Sequence, residues 1–133
     1  MTRYGKPQEF LVPGGAFLCY DADMKLSDKK CIPCESNQVK PMSKTAALKM
    51  VKQVPGWKCD ATAKHIAREF LFKDFKSAMK FVTTVAKIAE SNGHHPDISI
   101  WYNKVRLDLW THSIGGLSEN DFIVAAKVNE IQP

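Results

Sequence analysis

Apolar positions follow no sustained period before residue 43, and two clear periods after it. Residues 1–42 carry Pro7, Pro13, Gly14, Gly15, Pro33 and Pro41, which predicts an irregular N-terminal arm folded onto a domain spanning residues 43–133. Ala46, Ala47, Met50, Val51 and Val54 recur at helical spacing behind Ser43, a residue type that caps helix N-termini, and Pro55-Gly56 stops the run. Two strands are expected next, over residues 57–62 and 66–72, with a short link at Ala63 and Lys64. Asp74 then caps a long helix whose Phe75, Met79, Val82, Ala86 and Ala89 return every three or four residues as the expected buried face. Asn92-Gly93 ends it, because glycine accepts the left-handed conformation common just past a helix.

The period then changes to two. Ile98, Ile100 and Tyr102 alternate with Ser99 and Trp101, and Val105, Leu107 and Leu109 alternate with Arg106, Asp108 and Trp110. These are two half-buried strands joined by a tight hairpin at Asn103 and Lys104. Ser118 opens a last helix, with Asp121 three residues on in capping-box position and Leu117 and Phe122 placed as a hydrophobic staple. The order α-β-β-α-β-β-α predicts an α+β fold: a four-stranded, mainly antiparallel sheet with helices packed on one face.

Composition adds mainly exclusions. With 133 residues, 44% hydrophobic and 25% charged, the chain is sized for one ordinary globular core. No apolar run approaches the ~20 residues that cross a bilayer, and the first residues lack the apolar core of a secretory signal. A cytoplasmic protein is expected, with an organelle left open. The net charge of +5 comes largely from scattered lysines, read as solvated helix faces. Arg3, Arg68 and Arg106 are the only arginines, so the arginine-rich clusters of a nucleic-acid binder are missing. Cys31-Ile-Pro-Cys34 has the spacing of half a zinc site or of a redox pair. It lies in a polar segment without a second pair, so it reads first as a structural turn, then as a metal site, and last as a redox pair.

Chemistry concentrates near the end of the chain. Glu90, His94-His95-Pro96, Tyr102, His112 and Asp121 form a spaced polar string that holds three of the four histidines. Histidine exchanges protons near neutral pH more readily than any other side chain. Each member has a bland account: a histidine after a helix complements the dipole, and Asp121 is a cap. Together they predict a shared site, because hairpin geometry returns His112 toward His94 and His95 and the last helix brings Asp121 to the same rim. Acid–base catalysis on a small polar substrate fits such a set. A three-histidine zinc site is the second reading, weakened because adjacent histidines in extended chain face opposite ways. Nucleophilic catalysis has no Gly-x-Ser-x-Gly elbow, and no phosphate loop or dinucleotide fingerprint is present.

These residues resemble the pterin-4a-carbinolamine dehydratase family. Its pattern is an acidic or polar residue, His-His-Pro three positions on, an aromatic five later, a histidine after nine and an aspartate after eight or more. Glu90, His94-His95-Pro96, Tyr102, His112 and Asp121 fill it. Trp57 after Pro-Gly, the Phe70-Leu-Phe72 stretch and the Lys73-Asp74-Phe75 helix entry extend the likeness from about Ser43 to the C-terminus.

The resemblance implies a hydro-lyase that dehydrates 4a-hydroxytetrahydropterin to quinonoid dihydropterin, recycling the pterin cofactor, with no metal or redox cofactor. It implies His94, His95 and His112 as catalytic residues, with Glu90, Asp121 and Trp57 binding or orienting; core burial accounts for Trp57 equally well. It also implies a homodimer or homotetramer with a pterin as small-molecule partner. The alternative it carries is a pterin-binding module, or a dimerisation cofactor for a transcription factor, with little or no catalytic role.

Overall fold

The polar caps and alternating apolar runs become three α-helices and four strands in a computed structural model, which describes residues 25–31 and 40–131. The elements are α1 (Lys44–Val51), β1 (Lys58–Cys59), β2 (Ile66–Leu71), α2 (Phe75–Asn92), β3 (Asp97–Trp101), β4 (Lys104–Leu109) and α3 (Glu119–Ile131). Strand order is β1-β2-β4-β3 with every neighbour antiparallel, so the expected order and sheet are both found.

Side-chain alternation gives the sheet its two faces. Ile66 and Phe70 on β2 and Val105, Leu107 and Leu109 on β4 are buried in one core with Ala47, Val54, Phe81, Val85, Phe122, Val124 and Val128. The register pairs Asp97 with Asp108, Ser99 with Arg106 and Glu69 with Arg106, which puts these residues on the opposite, open face. There Arg106 makes a two-pronged ion pair with Asp108, both contacts at 3.0 Å. Trp57 is buried in the core with its ring edge toward Phe70, and its indole N–H donates to Asn129 Oδ1 at 2.8 Å. Arg68 donates to the same oxygen at 2.6 Å and to the Pro55 carbonyl at 3.1 Å, which ties α3 to the turn after α1. A Cβ on Gly56 would meet the Arg68 guanidinium at 2.6 Å, and its φ of +88° suits glycine.

Three expectations are corrected in detail. The buried stripe of α2 is Ala78, Phe81, Val85 and Ala89, whereas Phe75 is 49% exposed and Ala86 lies in solvent. The helix carries two overlapping apolar stripes. It is rolled so that Phe81 meets Phe70 and Phe72, at ring distances of 4.6 and 5.0 Å. The first strand shortens to Lys58–Cys59, because Asp60 starts a tight loop in which its Oδ1 accepts from the N–H groups of Lys64 and His65. Finally, the β3–β4 turn sits at Tyr102 and Asn103, one residue earlier than expected, with Tyr102 at φ +48°. Asn103 fixes that register: its side-chain amide donates to the Phe72 carbonyl and its carbonyl accepts from the Phe72 N–H, both at 2.8 Å.

Of residues 1–42, the described segment 25–31 runs against α3. Ser27 bonds Glu130, Lys29 pairs with Glu119 at 2.8 Å, and Lys127 donates to the Ser27 carbonyl at 2.7 Å. Cys31 Sγ lies 3.7 Å from the Asn120 carbonyl, while its partner in the Cys-x-x-Cys spacing, Cys34, lies outside the described residues.

The caps follow the sequence closely. Ser43 Oγ accepts from the Ala46 N–H at 3.2 Å and Asp74 Oδ1 accepts from the Ser77 N–H at 2.8 Å. The hydrogen bonds from Ser77, backbone first, hold the Asp74 carboxyl below its ordinary pKa. A depressed folded-state pKa stabilises the fold at pH values above the unfolded pKa, and that contribution is lost as pH falls through the folded one. Asp74→Ala is therefore expected to lower the melting temperature at pH 7. Its gap from wild type should close as the pH falls below about 4; a gap that stayed constant down to acid pH would contradict the cap's role.

Candidate active site

The site is built from the ends of four elements. Gly93, at φ +63°, closes α2, and the N–H groups of Gly93 and His94 both return to the Ala89 carbonyl. This turn buries His94, at 5% exposure, while leaving His95 in solvent. His94 Nε2 meets Asp121 Oδ1 at 2.6 Å. Asp121 is fully buried, and its other oxygen accepts from Thr111 Oγ1 at 2.9 Å and from the Ser118 N–H at 3.0 Å. The Ser118 contact is one half of the expected capping box, the Asp121 side chain reaching back to the N–H of the capping residue. Since Thr111 gives its one hydroxyl proton to Asp121, the 2.8 Å contact between Thr111 and Ser118 takes its proton from Ser118. A buried carboxylate thus collects three donors, which offsets its desolvation.

The loop after β4 is closed by the Thr111–Gly116 bridge, with Thr111 N–H to Gly116 carbonyl at 2.8 Å. That closure brings Ser118 and Asp121 back to Thr111. His112 leaves the same loop at its start and is exposed. Its ring lies on Trp110, with centroids 4.0 Å apart and planes 23° apart. His112 Nε2 is 3.9 Å from Asp97 Oδ1, one residue beyond Pro96. His95, across the turn, meets Glu90 Oε1 at 2.5 Å, and both are exposed.

Each of the three histidines therefore faces its own carboxylate: Asp121, Glu90 and Asp97 respectively. The hairpin does return His112 to the start of β3, as its register requires. Tyr102 is carried to the opposite end of that hairpin, and Trp57 stands in the core. Among the described residues, no group of three or more His, Cys, Asp or Glu side chains is placed to hold a metal ion. A concavity of about 430 Å³ lies on the open sheet face, lined by Lys58, Asp60, His65 and Arg106 among others and by none of His94, His95 or His112. His65 joins it to the site by stacking on Trp110 at 4.7 Å.

The family model for pterin 4 alpha carbinolamine dehydratase matches residues 40–131. The chain belongs to that family, one of hydro-lyases. An Arabidopsis thaliana relative, pterin-4-alpha-carbinolamine dehydratase 2, mitochondrial, is 43% identical over 122 residues; the match takes in 90% of this chain and 64% of that protein. A dehydratase-family protein of Halorhodospira halophila is 45% identical over 108 residues, covering 81% of this chain and 98% of its own. A crystal structure described as a transcriptional coactivator/pterin dehydratase from Brucella melitensis has a TM-score of 0.67 at 33% identity, over 71% of this chain and all of that one.

Sequence reasoning overlooked Thr111, Asp97, Trp110 and His65. Thr111 and Asp97 each adjoin a member of the polar string, and adjacency was the one signal that pointed to them. Trp110 was read only as an outward strand position, and nothing in the spacing joined His65 to residues 45 or more positions away.

Proposed function

We propose that this protein removes water from a 4a-hydroxytetrahydropterin to give the quinonoid dihydropterin, by general acid–base catalysis with His94, His95 and His112. The carbon–oxygen bond at C4a breaks as one imidazolium gives its proton to the departing hydroxyl, which leaves as water. A second imidazole takes a proton from the ring nitrogen, whose electrons form the new carbon–nitrogen double bond. One proton enters and one leaves, so the reaction needs no oxidant. What supports this reading is the pairing of each imidazole with a carboxylate, since such a partner orients the ring. Glu90 and Asp121 are the orienting partners of His95 and His94. In this role the enzyme recycles a pterin cofactor after an oxidation that leaves it hydroxylated.

The experiment is stopped-flow turnover of a synthetic 4a-carbinolamine by the wild type, His94→Ala and His112→Ala. The wild type is expected to exceed the uncatalysed rate by orders of magnitude. Tight pterin binding with no such acceleration would instead favour a pterin-binding module; the description of the Brucella protein as a transcriptional coactivator supports the related reading of a transcription cofactor.

Among the described residues no helix is long and apolar enough to cross a membrane. The cytoplasm is the proposed compartment, with the mitochondrion as the alternative, which the Arabidopsis name supports; fractionation of the tagged protein distinguishes them. A homodimer or homotetramer is also part of the proposal. Strand β3 is a sheet edge that leaves Ile98, Ile100 and Trp101 between 37 and 54% exposed, a surface suited to cover by a second copy. Sedimentation velocity should give a mass at least twice the 14.9 kDa of one chain; a monomer at tens of micromolar would contradict it.

A further inference from the structure

Trp110 is held from three directions. His65 lies flat on one side of it at 4.7 Å and 10°, and His112 stacks on it at 4.0 Å and 23°. Its indole N–H donates to Asp97 Oδ2 at 3.1 Å. Asp97 presents its other oxygen to His112 Nε2 at 3.9 Å. Trp110 and His112 are on the strand end and the loop that follow β4, Asp97 opens β3, and His65 precedes β2, so three separate chain segments converge on one indole. An indole already in contact with two imidazoles is poorly placed to stack a planar substrate. It is well placed to fix the plane and the reach of an imidazole that would otherwise swing freely at 60% exposure.

We propose that Trp110 and Asp97 are a positioning pair for His112, with His65 as the backing layer, so that an exposed catalytic imidazole is presented in one orientation. The indole sets the ring plane by stacking. It also pins the carboxylate that faces Nε2, so the two restraints depend on each other. Neither residue touches the reacting atoms; both act through His112. The inference rests on the proposed role of His112 in the dehydration.

The test compares Trp110→Phe and Asp97→Asn, each in the wild type and in His112→Ala. Trp110→Phe keeps an aromatic face but loses the N–H, and Asp97→Asn keeps an acceptor for the indole but loses the charge. Each is expected to lower kcat by roughly tenfold, with KM little changed, since about 1 Å of misplacement costs up to ~100-fold. In the His112→Ala background neither should have any further effect, because the group they position is gone. Losses that persist in full in that background, or no loss in either single variant, would overturn the pairing. If His112→Ala itself turns over like wild type, the role of His112 fails. The positioning claim is then read from the NMR signals of the His112 ring: an upfield ring-current displacement lost in Trp110→Leu supports it, and its absence from the wild type refutes it.

Discussion

His112→Ala is expected to lower kcat for the 4a-carbinolamine by about 10²- to 10⁴-fold, the usual contribution of one well-placed acid or base. The variant is a clean one. His112 is exposed, and its contacts are one stacked indole and a 3.9 Å approach to Asp97. Losing a stacked ring costs on the order of 0.5–1.5 kcal/mol, which leaves the fold intact. His94→Ala should lose activity too, but it also strips a buried carboxylate of a donor, so its kinetics must be read with its stability. KM should move little in His112→Ala if the ring acts mainly in the transition state. Wild-type turnover in both alanine variants would remove the acid–base assignment altogether.

The second large effect is on stability. Asp121→Ala is expected to cost about 3 kcal/mol or more, because each buried donor left without its acceptor costs about 1–3 kcal/mol. Alanine would withdraw the acceptor from His94, the Thr111 hydroxyl and the Ser118 N–H together. Against a typical total stability of 5–15 kcal/mol, that loss should appear as a large drop in the urea midpoint at unchanged slope. Asp121→Asn should cost distinctly less, because one oxygen still accepts. Equal costs for the two would mean that the carboxylate's charge, rather than its hydrogen bonds, carries the stabilisation; no measurable cost for alanine would contradict the network.

Much of the site was legible because its members are punctuation as well as chemistry. Gly93 ends α2 and so places His94 and His95. Pro96 starts an extended run, and Ser118 with Asp121 starts α3. Such signals act over a few residues and are read directly from a single chain. The partners were less legible. His94 and Asp121 stand 27 positions apart, and the link between His65 and His112 runs through an indole between them. The roll of α2 was misjudged for the same reason: Phe75 and Phe81 are equally apolar, and only the position of Phe70 and Phe72 favours one.

By itself the sequence determined the element types, their order, their caps and the cluster of histidines, because helix period, strand alternation and capping depend on neighbours within about four residues. The tertiary structure alone decided which carboxylate each histidine faces, which side of α2 is buried, and that Trp57 belongs to the core while Trp110 backs His112. Those outcomes depend on strand register and on how each helix rolls against the sheet. Both are set by contacts between distant residues, in which a one-residue slip turns every side chain to the other face.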